Sequence, residues 1–340
     1  MALRTREVEV IKAQNGNYTV VKQLAMGKLG SVYHVQSESG KDYAMKCESA
    51  KSKKPLLPQE LQVLQALESV ESPHLLRFID KGLVPQKFLF LIVTMVGPDL
   101  QKLQSQQQGK RFALNTALRI GEQTLAAIRD MHRSGYIHKN ISPSNFAIGI
   151  DPANHTIFIL DFGSAEKISD IKKLTNRRIF VGNYKYASLS AFRLKPMSYK
   201  DDLESWWYVM VELIVGRLPW NPSDKTQKNP QAMIGKRMQM RTKSNLEKTC
   251  RGPCQSHLIK IIKLIDLIQV NEVPDYDAIY DIIASAQKAN GCNHEEALEW
   301  DPMHDYAGPP YQKGQERPKA IEIVLSSPSN GKNAMATAIQ

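Results

Sequence analysis

Acidic residues are in short supply in this chain: 34 aspartates and glutamates face 45 lysines and arginines, leaving a net charge of +11. The surplus favours acidic partners without naming them. Nucleic acid is disfavoured as a partner, because no basic-aromatic platform or recognised reader motif accompanies the charge. Cysteine is scarce as well. Cys47, Cys250, Cys254 and Cys292 are too few for a disulfide framework and suit a reducing compartment, so a cytoplasmic or nuclear protein is expected. Cys250, Cys254, Cys292 and His294 have unusual spacing for a zinc site and are read as reduced thiols beside an ordinary histidine. Long apolar runs are missing: Phe88–Val93 is too short to span a membrane, and the charged stretch Met1–Val10 has no apolar core. Neither a membrane association nor a signal peptide is expected, and no internal repeat is found.

What remains is material for one large folded domain with short extensions, in 340 residues of 42% apolar composition. Apolar, β-branched stretches at Tyr18–Leu24, Ser31–Val35, Asp42–Cys47, Leu75–Asp80 and Phe88–Val93 predict a small antiparallel sheet, interrupted by one helix around Glu60. From Asn115, a candidate N-cap, Leu118, Leu125, Ile128 and Met131 mark an amphipathic helix that Gly135 can end. Residues 221–230 are polar and read as a loop, and helical periodicity resumes over Leu258–Ile268. From Gly291 onward the breakers Asp301-Pro302, Gly308-Pro309-Pro310 and Ser326–Gly331 predict a mostly mobile tail, although Ala320–Leu325 has the character to pair locally or to dock on the lobe. Tyr306 and Tyr311 are read as incidental unless they anchor part of it.

Ile137-His138-Lys139-Asn140-Ile141-Ser142-Pro143-Ser144-Asn145, followed by Asp161-Phe162-Gly163, resembles the catalytic loop and metal-binding triplet of eukaryotic protein kinases. In that family an Asp receives the proton of the substrate hydroxyl and an Asn helps hold magnesium. The Asn is kept here as Asn145, but Asn140 stands in the place of the Asp. A carboxamide carries no charge and cannot accept a proton at neutral pH. Ser142 stands where the family has a Lys that neutralises the transferring phosphoryl group. In Gly182-Asn183-Tyr184-Lys185-Tyr186-Ala187-Ser188, Asn183 replaces the Thr that bonds both. General-base help is worth about a hundred- to ten-thousandfold in rate, so its loss predicts slow turnover or none.

The resemblance extends along the chain. Leu24–Val32 is similar to the family's Gly-rich loop, with Gly27, Gly30 and Val32 in place and Ala25 departing from the first glycine. Tyr43-Ala44-Met45-Lys46 fits the strand whose Lys meets the nucleotide phosphates, and Glu60 fits its ion-pair partner. Ala44 falls in the adenine pocket, Val93 limits its depth, Thr94-Met95-Val96 match the hinge, and Ala147 matches the pocket floor. The implied cofactors are ATP and Mg2+, the latter held by Asn145 and Asp161. Gly97-Pro98-Asp99-Leu100, Asp201–Trp207, Gly216–Trp220 and Pro274-Asp275-Tyr276 resemble the casein kinase 1 group, tau-tubulin kinases included. In that group the position of Lys185 helps bind a phosphate or acidic side chain of the substrate, and the basic segment Lys172, Lys173, Arg177 and Arg178 precedes it. Lys185 and Arg178 are the implied anion site. Asp202 is implied to be structural, accepting backbone hydrogen bonds from the catalytic loop.

The resemblance therefore implies an α+β, two-lobed fold, with a small antiparallel β-sheet and one helix in the N-lobe and a mainly α-helical C-lobe. The expected boundaries are an extension over 1–16, a kinase domain over 17–290 divided near 95/96, and a tail over 291–340. Two functional readings follow: a monomeric pseudokinase that binds nucleotide and holds acidic or phosphorylated protein partners in signalling, or an active serine/threonine kinase acting on acidic or primed substrates. Lys46, Glu60, Asn145 and Asp161 serve both, whereas Asn140, Ser142 and Asn183 favour the first.

Overall fold

The computed structural model describes residues 9–27, 30–173, 179–220, 229–303 and 308–321, with backbone only for 171–173. The N-terminal lobe is a six-stranded antiparallel sheet in the order β1-β2-β3-β4-β6-β5. Its strands are β1 Val10–Lys12, β2 Asn17–Met26, β3 Ser31–Ser37, β4 Asp42–Ser49, β5 Phe78–Val84 and β6 Phe88–Thr94, with helix α1 Leu57–Leu67 between β4 and β5. Alternation explains the strands: Tyr18, Val35, Met45, Cys47, Phe90 and Ile92 pack as one small apolar cluster, as the period of two in a pleated strand requires. Two differences from expectation appear. The expected extension over 1–16 supplies β1, which pairs Val10 with Thr19 and Lys12 with Asn17. The strand expected at Leu75–Asp80 starts later, because Leu75 instead bridges Ile159 of the other lobe.

The C-terminal lobe is mainly helical: α2 Leu100–Gln106, α3 Leu114–Arg133, α4 Leu189–Phe192, α5 Tyr199–Val215, α6 Pro230–Met240, α7 Lys243–Thr249, α8 Gln255–Leu267 and α9 Tyr276–Ala289. Short strands β7 Tyr136–Ile137, β8 Phe146–Ile148, β9 Ile157–Ile159 and β10 Glu166–Lys167 carry the segments between α3 and α4. At the centre lies α5, with Trp206 and Trp207 fully buried. Each indole N–H still finds an acceptor, Trp206 on Thr124 Oγ1 at 2.9 Å and Trp207 on the Leu258 carbonyl at 2.8 Å, as buried Trp needs. A capping box of Ser198 and Asp201 starts α5, and Gly216 at φ 85° ends it. Helix α3 does not use Asn115 as its N-cap. Ala113 holds that position, and its N–H donates to Glu299 Oε2 at 2.6 Å.

Beyond α9 no helix or strand occurs among the described residues, yet 308–321 packs on the C-lobe rather than moving free of it. Tyr311 is buried and stacks on Tyr280, with ring centres 4.4 Å apart. Its N–H donates to Glu122 Oε1 at 2.7 Å, its hydroxyl donates to Asp277 Oδ1 at 2.9 Å, and the Arg129 guanidinium lies 4.5 Å over its ring. Further on, the Tyr199 hydroxyl donates to the Lys319 carbonyl at 2.9 Å, and Ile321 is buried. Tyr306 lies outside the described residues. Among the described residues no helix is long and apolar enough to cross a membrane, and no three His, Cys, Asp or Glu side chains are grouped to hold a metal.

Candidate active site

Between the lobes lies a cleft of about 530 Å³. The N-lobe lines it with Ala25, Gly27, Gly30, Val32, Ala44, Lys46, Glu60, Val93, Thr94 and Val96, and the C-lobe with Asn145 and Asp161. Ala147 does not line it. It sits fully buried in β8, bridged to Asp99. Leu76 and Leu160 form apolar wall in its stead, and Ser144 and Glu48 also line the cleft. Sequence reasoning missed these four. Glu48 carried a signal, since two residues after Lys46 it leaves the same face of β4.

The glycines have a local cause. A Cβ on Gly30 would lie 2.0 Å from the Cys47 carbonyl oxygen, so β3 can approach β4 here only without a side chain. At the hinge, the Thr94 N–H is spent on the Arg77 carbonyl at 3.1 Å, whereas the Val96 N–H has no acceptor among the described residues. That leaves the Val96 N–H as a backbone donor at the apolar end of the cleft.

At the polar end, Lys46 Nζ meets Glu60 Oε2 at 2.6 Å and Asp161 Oδ1 at 2.9 Å. Burial pushes the Glu60 carboxyl up, and Lys46 only partly offsets this. For Asp161, burial also raises the carboxyl, but the Lys46 charge and hydrogen bond outweigh it and hold it below the usual range. Burial lowers the Lys46 ammonium, yet the two carboxylates win and raise it. The cleft therefore keeps a fixed cation and at least one fixed carboxylate at neutral pH. Asp161 adopts a left-handed backbone (φ 63°, ψ 72°), an uncommon conformation for a non-glycine residue. The fully buried Phe162 beside it anchors this strained residue in the core.

The loop at 138–145 hangs from one buried carboxylate, as expected for Asp202. Asp202 accepts the His138 N–H at 2.6 Å, the Lys139 N–H at 2.8 Å and a bond from His132 Nε2 at 2.9 Å. His132 Nδ1 lies 2.6 Å from the Tyr276 hydroxyl, tying α3, α5 and α9 to the loop. Lys139 has φ 68° and pairs with Glu166 at 2.7 Å. A Cβ on Gly182, whose own φ is 110°, would lie 2.8 Å from the Lys139 carbonyl oxygen, which explains the glycine there.

Asn140, Ser142 and Asn183 share no hydrogen bond among the described residues. Ser142 is buried with its hydroxyl 3.0 Å from that of Ser144, and Asn183 Oδ1 caps its own turn through the Lys185 N–H at 2.9 Å. Among the described residues the Asn140 carboxamide has no hydrogen-bond partner, while its backbone carbonyl accepts Asn145 Nδ2 at 2.7 Å. Lys185, expected to face an acidic substrate, is turned inward instead: its ammonium pairs with Glu212, a buried carboxylate that also accepts the Tyr186 hydroxyl. Arg178 lies outside the described residues.

The sequence profile of the protein kinase domain matches residues 18–271, a span that takes in the Lys46–Glu60 pair, the Asp161-Phe162-Gly163 turn and both sides of the cleft. The chain belongs to the protein kinase family. Among curated relatives, the serine/threonine-protein kinase spe-6 of Caenorhabditis elegans is 29% identical over 297 residues, covering 85% of this chain and 76% of the relative. A probable serine/threonine-protein kinase of Dictyostelium discoideum is 28% identical over 293 residues, covering 84% of this chain and 57% of the relative. This protein kinase domain thus has serine/threonine kinases among its relatives.

Proposed function

We propose that this kinase domain, casein kinase 1-like in its motifs, binds ATP with magnesium and works mainly as a pseudokinase that holds protein partners. The observation that carries the reading is Asn140: a carboxamide without a hydrogen-bond partner among the described residues occupies the proton-accepting position, and it cannot take a proton at neutral pH. Ser142 and Asn183 add to it, each spent on its own local turn.

The cleft's own groups fit the nucleotide and its ion. Lys46 supplies a cation for phosphate oxygens, and Asp161 a hard anionic oxygen of the kind magnesium takes. Asn145 directs its Nδ2 to the Asn140 carbonyl, which leaves its amide oxygen for the same ion. When bound, the ion would neutralise charge on the phosphates. In this reading the Val96 N–H would donate to the adenine edge, and Val93, Leu76 and Leu160, which line the cleft, would cover its faces.

One observation favours the second reading, a slow serine/threonine kinase: the Lys46–Glu60 pair that active kinases require is formed. Phosphoryl transfer from labelled ATP to an acidic or primed peptide separates the two. Wild type is expected to match an Asp161→Ala control, and the triple reversion Asn140→Asp, Ser142→Lys, Asn183→Thr is expected to gain far more than Asn140→Asp alone, since groups acting as a unit are non-additive. A wild-type rate of about one turnover per second or more, within the usual kinase range, would sink the pseudokinase reading.

A further inference from the structure

A second cleft, of about 460 Å³, opens on the C-lobe between the end of α5, helix α6 and helix α7. Arg217, Lys236 and Lys248 line it, and among the described residues no carboxylate does. Among the described residues none of these three cations makes an ion pair or a side-chain hydrogen bond. That sets them apart from the basic residues around the active site. Lys46 is bound to Glu60 and Asp161, Lys139 to Glu166, Lys185 to Glu212, and Arg241 to Glu204 and Asp266.

We propose that this cleft binds a phosphorylated serine or threonine side chain on a segment of a partner protein. Like charges set around one concavity with apolar walls focus a positive potential into it. A phosphate ester brings close to two negative charges and three acceptor oxygens, a match for three unpaired donors that a single carboxylate does not reach. The floor is apolar, built from Leu218, Trp220 and Met240, which are buried but for the atoms that face the opening. A bare ion gains nothing from that floor, whereas the residue next to a phosphoserine can rest on it. The volume lies within the range of sites that enclose small ligands or side chains.

The cleft is also wired to the segment that leads to the active site. Trp220 Nε1 donates to the Lys185 carbonyl at 2.8 Å. Arg237, next to Lys236 on α6, is fully buried and donates to the carbonyls of Ala187 at 2.8 Å and of Tyr184 and Lys185 at 3.1 Å. An occupant held by Lys236 and Trp220 therefore rests on the same frame that fixes residues 184–187. The inference deepens the partner side of the proposed function but requires neither nucleotide nor phosphoryl transfer.

The test is fluorescence anisotropy on the full chain without nucleotide, using a labelled peptide with one phosphoserine flanked by apolar residues. Its serine and aspartate twins, and inorganic phosphate as competitor, complete the set. The phosphopeptide is expected to bind most tightly and to weaken as salt rises. Lys236→Glu with Lys248→Glu is expected to weaken it at least about tenfold, with Lys12→Glu on β1 as a control that leaves it unchanged. Arg217→Ser, a milder change at an exposed position, is expected to weaken it in the same direction. Equal affinity for the serine or aspartate twin, displacement by inorganic phosphate at the same concentration as by phosphopeptide, or unchanged binding in both variants would each overturn the proposal. An ATP-induced melting shift measured separately reports on the nucleotide cleft, so failure there is not confused with failure here.

Discussion

Replacing Asp202 with alanine tests whether one carboxylate holds up the loop at 138–145. Its oxygens accept three bonds, at 2.6, 2.8 and 2.9 Å, from groups that are themselves buried or half-buried. Hydrogen bonds to a charged group are worth about 1.5–3 kcal/mol each, but the three share one anion and do not add, and breaking a buried charge network costs about 3–5 kcal/mol. At about 2–4 °C per kcal/mol for a large domain, Asp202→Ala should melt about 6–20 °C below wild type. Asp202→Asn keeps one acceptor oxygen but points an amide at a backbone donor, so it should fall between the two. The pH dependence has a definite sign. Burial raises the Asp202 carboxyl, yet the His132 hydrogen bond and charge outweigh it and hold the group below its ordinary value. A depressed carboxyl stabilises the fold fully above the unfolded value of about 3.9, and that stability drains away as pH falls through the folded value. Wild type should therefore lose more stability than Asp202→Ala on going below about pH 4. Melting curves and amide exchange at His138 and Lys139 check both points. Unchanged melting with unchanged exchange at those two amides would show that the loop is held by something else.

ATP with magnesium at a hundred times its dissociation constant should stabilise the chain by about 2.7 kcal/mol, and less in Asp161→Ala; a thermal-shift assay showing no change at any concentration up to millimolar order removes the nucleotide from the account. Gly182→Ala should cost at least about 1–3 kcal/mol, because it forces both a positive φ on a side-chain residue and a 2.8 Å approach to the Lys139 carbonyl, and denaturant titration measures it. Tyr311→Ala removes the stack on Tyr280, the ring over Arg129 and the hydroxyl bond to Asp277, so limited proteolysis should cut within 308–321 at protease levels that spare wild type.

The sequence revealed most where one residue's environment is local. Alternation marked β2, β3, β4 and β6, and the Pro-Asp-Tyr start of α9 is there, with Asp275 Oδ1 accepting the Ala278 N–H. Leu75 and Leu76 misled because their apolar character serves contact between lobes and the cleft wall, which a strand pattern does not distinguish from sheet burial. Asn115 has the composition of a cap, but the acceptor that serves the start of α3 comes from Glu299, far along the chain. Lys185 and Glu212 present the same difficulty at longer reach: a charge that looks free in sequence is neutralised by a carboxylate on another helix. Lys46, Glu60, Asn145 and Asp161, whose order family motifs fix, come together at the cleft, whereas Ala147 is buried in β8 away from its lining.

The docking of 308–321 has a consequence for biosynthesis. Helix α3 emerges from the ribosome long before the residues that complete its surroundings. Until Tyr311 arrives, the Glu122 carboxylate lacks the Tyr311 N–H and the Arg129 guanidinium lacks both the ring above it and the Gln312 carbonyl. The helix that delivers the active-site loop is therefore finished by some of the last described residues to be translated. A nascent chain stalled before them would expose charged groups that the mature fold keeps covered, a surface that holdase chaperones and degradation machinery are placed to read while synthesis is still in progress.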